Sequence, residues 1–297
     1  MHKDLYRVGH ILALMLVLLM VTGTVLAADG GPASPPQAGG APQGEPPVVT
    51  LPEHAVQVAP GVFYLGKALD KGRVVEGYAF VRYKKGFGKP NKPGKPPSAS
   101  SCYEFLARGA KWKNLESYLA NPSNKSGLEE DFVVGNIAAD IAKWEDAADG
   151  TVEDGDSVDI LGSGSSTGET LVADTVAPDG ENEVYFANIA DANAIAVTII
   201  WGIFGGPPQW RELVEWDQVY EDVDFAWADC TAEGADCTSK MDFENIATHE
   251  LGHAVGLGDL YTTGCSEQTM YGYADYGETK KRTLEAGDIK GVSELYK

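Results

Sequence analysis

The feature that most constrains this chain is the segment 249–259, which reads HELGHAVGLGD. On a helix, residues four apart project from nearly the same face, so His249 and His253 can present imidazole nitrogens to one metal ion. Glu250 lies on a neighbouring part of the helix surface, where its carboxylate can meet a water activated by the ion. The pattern predicts a zinc helix with the groups that hydrolysis requires.

A catalytic zinc ion usually takes three protein ligands and keeps a fourth position open. The other three of the five histidines lie within the first 54 residues, so a third histidine ligand is not expected. Gly256 follows His253 by three residues, where a positive φ can end the helix and turn the backbone toward the ion. Asp259 comes three residues later, and we predict that it is the third ligand. An aspartate that only caps or solvates the loop is the alternative.

These eleven residues resemble the extended zinc signature of the metzincin metallopeptidases, most of which have histidine where this chain has Asp259. The aspartate form is similar to that of the snapalysins. Residues 268–271 (QTMY) resemble the metzincin Met-turn, and the tyrosine directly after the methionine resembles the matrixin form. Residues 284–296 resemble the last matrixin helix. The resemblance implies zinc bound by His249, His253 and Asp259, above a Met-turn containing Met270 and Tyr271.

The predicted elements follow the order of that family and indicate an α+β fold. Helical spacing of apolar residues predicts a helix over 131–148. Strands are predicted over 183–189, 194–201 and 212–220. The zinc helix, capped by Asp242, and a final helix around 288–296 come next. By resemblance, the sheet is mixed, mainly antiparallel at its edge, and carries the long helix, the zinc helix, the Met-turn and the C-terminal helix.

The N-terminus has the pattern of a secretory signal peptide over residues 1–28. Basic residues precede an apolar run from Ile11 to Val21, and small residues follow up to Ala28. That run falls short of the ~20 residues needed to cross a bilayer. We therefore expect cleavage, secretion and no stable membrane span afterwards, although counting out to Leu26 leaves an uncleaved anchor open.

Composition divides the remaining chain into four parts. Residues 29–50 are rich in Pro, Gly and Ala and are predicted to form a tether without a core. Residues 51–83 are predicted to form a small β element, with two strands around a turn at Lys71–Gly72. Residues 84–101, with five lysines, are predicted to form a second linker. Residues 102–297 have a suitable size for one catalytic domain.

Charge restricts the partners. The formal net charge is −21, from 44 acidic and 23 basic residues, and the sequence pI is about 4.5. An acidic surface argues against a nucleic-acid partner and against tight adsorption to anionic membranes. The partners expected from the resemblance are protein or peptide substrates.

Four cysteines remain after signal cleavage, and export permits disulfides among them. Three pairings are open. One of them closes the short loop from Cys230 to Cys237 and leaves Cys102 with Cys265. Matrixins are often kept inactive by a propeptide cysteine on the zinc, but the residues around Cys102 (SSCYE) lack that motif.

A second ion is suggested by a group of acidic residues in one loop. The group consists of Asp149, Asp154, Asp156 and Asp159. Matrixin-like folds often use calcium, and carboxylates are calcium ligands, but the spacing does not match an EF-hand. Solvated turn aspartates explain the group equally well.

The sequence favours a secreted zinc metalloendopeptidase in which Glu250 acts as general base and then as general acid. Two other functions remain open. One is a non-catalytic extracellular binding or adhesion protein with a structural zinc site, and the other is a zinc amidase that acts on cell-wall peptides. Glu250 argues against the first, because a structural site does not need that carboxylate.

Overall fold

The buried centre of the fold is strand β7 (Ala194–Ile203), in which nine of ten residues are buried. Its sequence, AIAVTIIWGI, is a continuous apolar run, as expected for a strand covered on both faces. The computed structural model describes residues 47–87 and 102–297. All of these described residues belong to one compact unit.

Ten further strands and three helices complete the fold. The other strands are β1 (Val56–Ala59), β2 (Val62–Asp70), β3 (Arg73–Lys84), β4 (Tyr118–Asn121), β5 (Gly164–Ser166), β6 (Asn182–Ala187), β8 (Glu212–Glu221), β9 (Ala226–Ala228), β10 (Lys240–Asp242) and β11 (Tyr273–Ala274). The helices are α1 (Glu130–Ala147), α2 (Phe243–Ala254) and α3 (Ala286–Tyr296), with short 3₁₀ turns at Pro208–Trp210, Thr263–Cys265 and Lys280–Arg282.

One mixed sheet contains nine of these strands. The order is β1-β2-β3-β7-β8-β6-β4-β5, and β11 pairs with β3 outside this path. Strands β5, β4, β6 and β8 run parallel to one another, whereas β7 is antiparallel to β8. Strands β9 and β10 form a separate parallel pair. The predicted α+β class is confirmed, with antiparallel strands on one side of the sheet.

Helices α1 and α2 pack together, and their buried side chains share one apolar cluster with β6, β7 and β8. Helix α2 begins where predicted, because the Asp242 side chain accepts a hydrogen bond from the Asn245 backbone N–H at 2.8 Å. That contact satisfies a backbone donor that has no partner within the helix. Helices α1 and α3 agree with the predicted ranges to within two residues.

The N-terminal strands differ from their predicted organisation. They were expected to form a small β element preceding the domain, but β3 pairs with β7 from Glu76 to Tyr83, so β1–β3 extend the same sheet. Close approach of β3 to β7 is possible at Gly77, where a Cβ would lie 2.6 Å from the Trp201 ring. The alternation that predicts a strand carries no information about its pairing partner, which explains the difference.

The disulfides join Cys230 to Cys237 and Cys102 to Cys265, one of the three pairings that the sequence left open. The second disulfide ties Cys102 to the loop that leads into Met270. The predicted signal peptide, and most of the two predicted linkers, lie outside the described residues. Within residues 47–87 and 102–297, no helix combines the length and apolar character that a membrane crossing requires.

Candidate metal centre

Helix α2 presents both imidazoles to one buried point. The rings of His249 and His253 lie edge to face with centroids 4.9 Å apart, and at most 1% of either residue is exposed. His249 Nδ1 lies 2.7 Å from the Thr269 carbonyl oxygen, and His253 Nδ1 lies 2.9 Å from that of Leu257. A carbonyl oxygen only accepts, so each Nδ1 carries the proton and each Nε2 keeps a lone pair for a metal.

A turn at Gly256 brings the predicted third ligand to these imidazoles. Gly256 has φ +107°, and its N–H donates to the His253 carbonyl at 2.9 Å, which ends the helix as predicted. Asp259 Oδ1 then lies 3.2 Å from His249 Nε2 and 3.8 Å from His253 Nε2. The structure therefore brings the three predicted ligands together, with donor atoms within 4.8 Å of one another.

The Met-turn lies directly beside this group. The Leu260 N–H donates to the Met270 carbonyl, and the Gly272 N–H donates to the Leu260 carbonyl, each at 2.8 Å. The Asp288 carboxylate accepts hydrogen bonds from the backbone N–H groups of Thr269 at 2.8 Å and Met270 at 3.2 Å. The segment that follows α2, the Met-turn and α3 are thus joined by hydrogen bonds, in the order that the sequence motifs indicate.

Glu250 is fully buried next to the three candidate ligands. Its Oε2 accepts a hydrogen bond from Thr198 Oγ1 at 2.6 Å, whereas Oε1 has no hydrogen-bond partner among the described residues. Burial raises the pKa of Glu250 to about 8, against a lowering by Arg82 and Thr198. A carboxyl group with a pKa in this range is suited to exchange protons near neutral pH.

Burial and neighbouring groups hold the candidate ligands in the protonation states that bind a metal. Burial, together with Arg82, lowers the pKa of His249 to about 3, and burial also lowers that of His253. Burial alone would raise the pKa of Asp259, but His253 and His249 lower it to about 2. Two neutral imidazoles and one carboxylate are a donor set that zinc accepts.

The hydrogen bonds of Asp259 show whether the three candidate ligands fit a zinc ion. Its Oδ2 accepts a hydrogen bond from the Tyr261 hydroxyl at 3.1 Å, whereas its Oδ1 is buried and accepts none. A buried carboxylate oxygen without a donor is costly unless a cation approaches it. Because Oδ1 faces the two Nε2 atoms, the three side chains fit a zinc ion.

Two residues at the site have no counterpart among the sequence predictions. Thr198 reaches Glu250 from β7, and Arg82 reaches His249 from β3. Arg82 Nη1 lies 2.6 Å from His249 Nε2 and 4.0 Å from Asp259 Oδ1. Arg82 also donates to the carbonyl oxygens of Tyr271 and Tyr273, at 2.8 and 3.3 Å. The signal in the sequence was a single arginine directly after the apolar run Ala79–Val81 of β3.

The predicted calcium loop gains no support. Oxygens of Asp149, Asp154 and Asp156 lie within 4.8 Å of one another, but Asp159 is not part of that group. The Thr151 hydroxyl lies 2.6 Å from an oxygen of Asp149 and 2.6 Å from an oxygen of Asp154, and its one proton is shared between them. Hydrogen bonds within an exposed turn therefore account for this cluster without an ion.

A comparison with protein families decides the classification. The family model of the matrixins matches residues 139–297, which is more than half of the chain. The chain belongs to the matrixin family. No curated protein matches it. Matrixins are metzincin metallopeptidases, so this chain is a hydrolase of protein or peptide substrates from a family that uses zinc.

The matched range also shows which parts of the chain are typical of a matrixin. It contains β5–β11, α2, α3 and every predicted site residue. Strands β1–β3, which include Arg82, lie outside it.

Proposed function

We propose that this matrixin is a secreted zinc endopeptidase in which His249, His253 and Asp259 hold the ion. The observation that carries the proposal is the buried Asp259 Oδ1, which accepts no hydrogen bond and faces the two imidazole Nε2 atoms. Because Nδ1 of each histidine is bound to a backbone carbonyl, both rings are already oriented for binding.

Zinc at this site would supply a Lewis acid toward water and toward the substrate carbonyl. Glu250 then acts as the proton carrier: it removes a proton from the attacking water and delivers it to the departing amine nitrogen. Thr198 holds Glu250 Oε2, which leaves Oε1 as the atom that exchanges the proton. Tyr271 and Tyr273 belong to the segment that follows Met270. This segment would form a wall of the pocket for the substrate side chain that follows the cleaved bond.

The two rival functions are weaker for separate reasons. A structural zinc staple does not require Glu250, yet this carboxyl group is buried beside the ligands with one free oxygen. A cell-wall amidase would use the same groups, and only its substrate differs. Secretion is supported by the predicted signal peptide and by two disulfides, which persist in oxidising compartments.

The test uses the chain from residue 29, loaded with zinc and checked by elemental analysis. Hydrolysis of casein, a peptide library and peptidoglycan fragments is measured as purified and after limited trypsin digestion stopped with a trypsin inhibitor. Glu250→Ala protein, treated identically, is the control and should retain zinc. We expect chelator-sensitive hydrolysis of casein or peptides that the control lacks. Zinc-loaded protein that cleaves nothing in either state would refute the proposal, and cleavage of peptidoglycan fragments alone would establish the amidase.

A further inference from the structure

The candidate metal centre is closed to a peptide. His249 and Glu250 have no exposed surface, and His253 is 1% exposed. An endopeptidase must admit an extended segment of another chain to its metal and its proton carrier. Some part of this molecule must therefore move before the proposed reaction occurs.

The part that covers the centre is the β2–β3 hairpin. The Phe80 ring stacks on the His253 ring with centroids 4.5 Å apart. Two residues further along β3, Arg82 reaches the candidate ligands. At the start of the hairpin, the Tyr261 hydroxyl lies 2.9 Å from the Pro60 carbonyl oxygen and 3.1 Å from Asp259 Oδ2, and shares its one proton between the two acceptors.

The backbone of β3 fills a groove with two open strand edges. It pairs antiparallel with β7, where Arg82 lies opposite Ala196, and parallel with β11, where Tyr83 lies opposite Tyr273. Both flanking strands belong to the region that matches the matrixin family, whereas β3 does not. Two free strand edges on either side of a metal centre bind an extended polypeptide through main-chain hydrogen bonds. In this structure, the chain's own β3 occupies that position.

Arg82 places a positive charge among the candidate ligands. Its Nη1 stands 2.6 Å from His249 Nε2 and 4.0 Å from Asp259 Oδ1. A zinc ion bonds to a histidine nitrogen at about 2.0–2.1 Å. A guanidinium in this position and a bound ion would compete for the same lone pairs and would repel each other. Cys102 cannot block the ion in its place, because it is bound to Cys265.

We propose that the segment 47–87 keeps the intact chain latent, with β3 bound in the substrate groove and Arg82 at the position of the metal. This inference rests on the proposed function. When β3 leaves, the edges of β7 and β11 are exposed, Phe80 no longer covers the His253 ring, and the candidate ligand atoms become accessible. Zinc binding and β3 binding therefore oppose each other, and by thermodynamic linkage each weakens the other by the same factor.

The test follows β3 directly in the chain from residue 29. Hydrogen–deuterium exchange of the β3 amides from residue 76 to 84 is measured with and without zinc, and zinc affinity is measured by competition with a chelating dye. Arg82→Ala is compared with Lys67→Ala, which removes an exposed cation from the same hairpin, where its ion pair with Glu76 lies within the hairpin itself. A second form carries the recognition sequence of a site-specific protease between Gly94 and Lys95, so that the hairpin can be cut loose and separated.

We expect zinc to accelerate exchange along β3 and Arg82→Ala to tighten zinc binding by about 5- to 150-fold, the usual range of such coupling. Lys67→Ala should leave zinc affinity unchanged, and casein hydrolysis should rise after the cut hairpin is removed. The proposed latency is wrong if zinc binds the intact chain without faster hydrogen–deuterium exchange of β3, and if casein hydrolysis is equal before and after the cut. That result would leave the proposed function intact. Failure of every form to bind zinc would instead overturn the proposed function.

Discussion

Gly252 on α2 and Met270 of the Met-turn are in direct contact, and no side chain fits between them. A Cβ at position 252 would overlap Met270 Sδ and would lie 2.8 Å from Trp144 Cζ2. Helix α2 therefore rests on the Met-turn at the one position of its sequence that lacks a side chain. This contact, and not coordination of the ion, is the role of Met270 that the structure supports.

Gly252→Ala should destabilise the protein by about 1–3 kcal/mol, because an added methyl group overpacks a buried contact. Gly135→Ala is the matched control, since Gly135 is an exposed residue within α1 with no atom within 4 Å of the added Cβ. There, better helix propensity should stabilise the protein by up to about 1 kcal/mol. Urea unfolding of both variants measures the difference, and equal effects would contradict the contact.

Asp259→Ala should lose most of the bound zinc after dialysis, because only two imidazoles remain. Asp259→His should keep it, since most metzincins have histidine at this position. Zinc content by elemental analysis distinguishes the two, and Asp275→Ala, at an exposed position beyond the Met-turn, is the control. Full zinc content in Asp259→Ala would show that this carboxylate only orders the loop.

Thr198→Val should lower kcat/KM by about tenfold or more, measured on the protein after the cut β2–β3 hairpin has been removed. The reason is that a hydrogen bond to a charged group is worth about 1.5–3 kcal/mol. The Thr198 hydroxyl lowers the pKa of Glu250, so its removal should also move the acid limb of the pH–activity profile to higher pH. Thr198→Ser should restore both. A lower rate with an unmoved pH profile would mean that Thr198 serves packing alone.

A buried acidic cluster outside the metal centre should make stability depend on pH. Burial raises the pKa of Glu215 to about 10, with a further rise from Asp217, against about 4.3 for an unfolded glutamate. At a pH between these two pKa values, Glu215 is ionised in the unfolded chain and protonated in the folded protein. Folding therefore takes up a proton, and stability falls as the pH rises through that range.

Glu215→Gln should therefore raise the unfolding temperature in metal-free buffer at pH 8 and leave it nearly unchanged at about pH 3, where the carboxyl is protonated in both states. Glu181→Gln, at an exposed position nearby, should have little effect at either pH. Thermal unfolding across this range provides the measurement. The unfolding temperatures of the unmodified protein and of Glu215→Gln are compared at pH 5 and pH 8. If the unmodified protein gains more stability than the variant over this range, the predicted direction of the pH dependence is wrong.

The sequence by itself determined the local parts of this protein. The spacing of His249, Glu250 and His253, the turn at Gly256 and the position of Asp259 all lie within eleven residues, so helix geometry and one positive φ fix their relation. Helices α1, α2 and α3 and strands β6–β8 were predicted for the same reason, since apolar periodicity is a local property.

Only the tertiary structure decided what lies against that site. Arg82 is 167 residues from His249, and Thr198 is 52 residues from Glu250. The alternation of β3 predicts a strand, but its partners depend on which free edges the remaining sheet offers. Pairing between distant strands follows from the packing of the whole chain, so the residues that cover the metal centre could not be read from the motifs that form it.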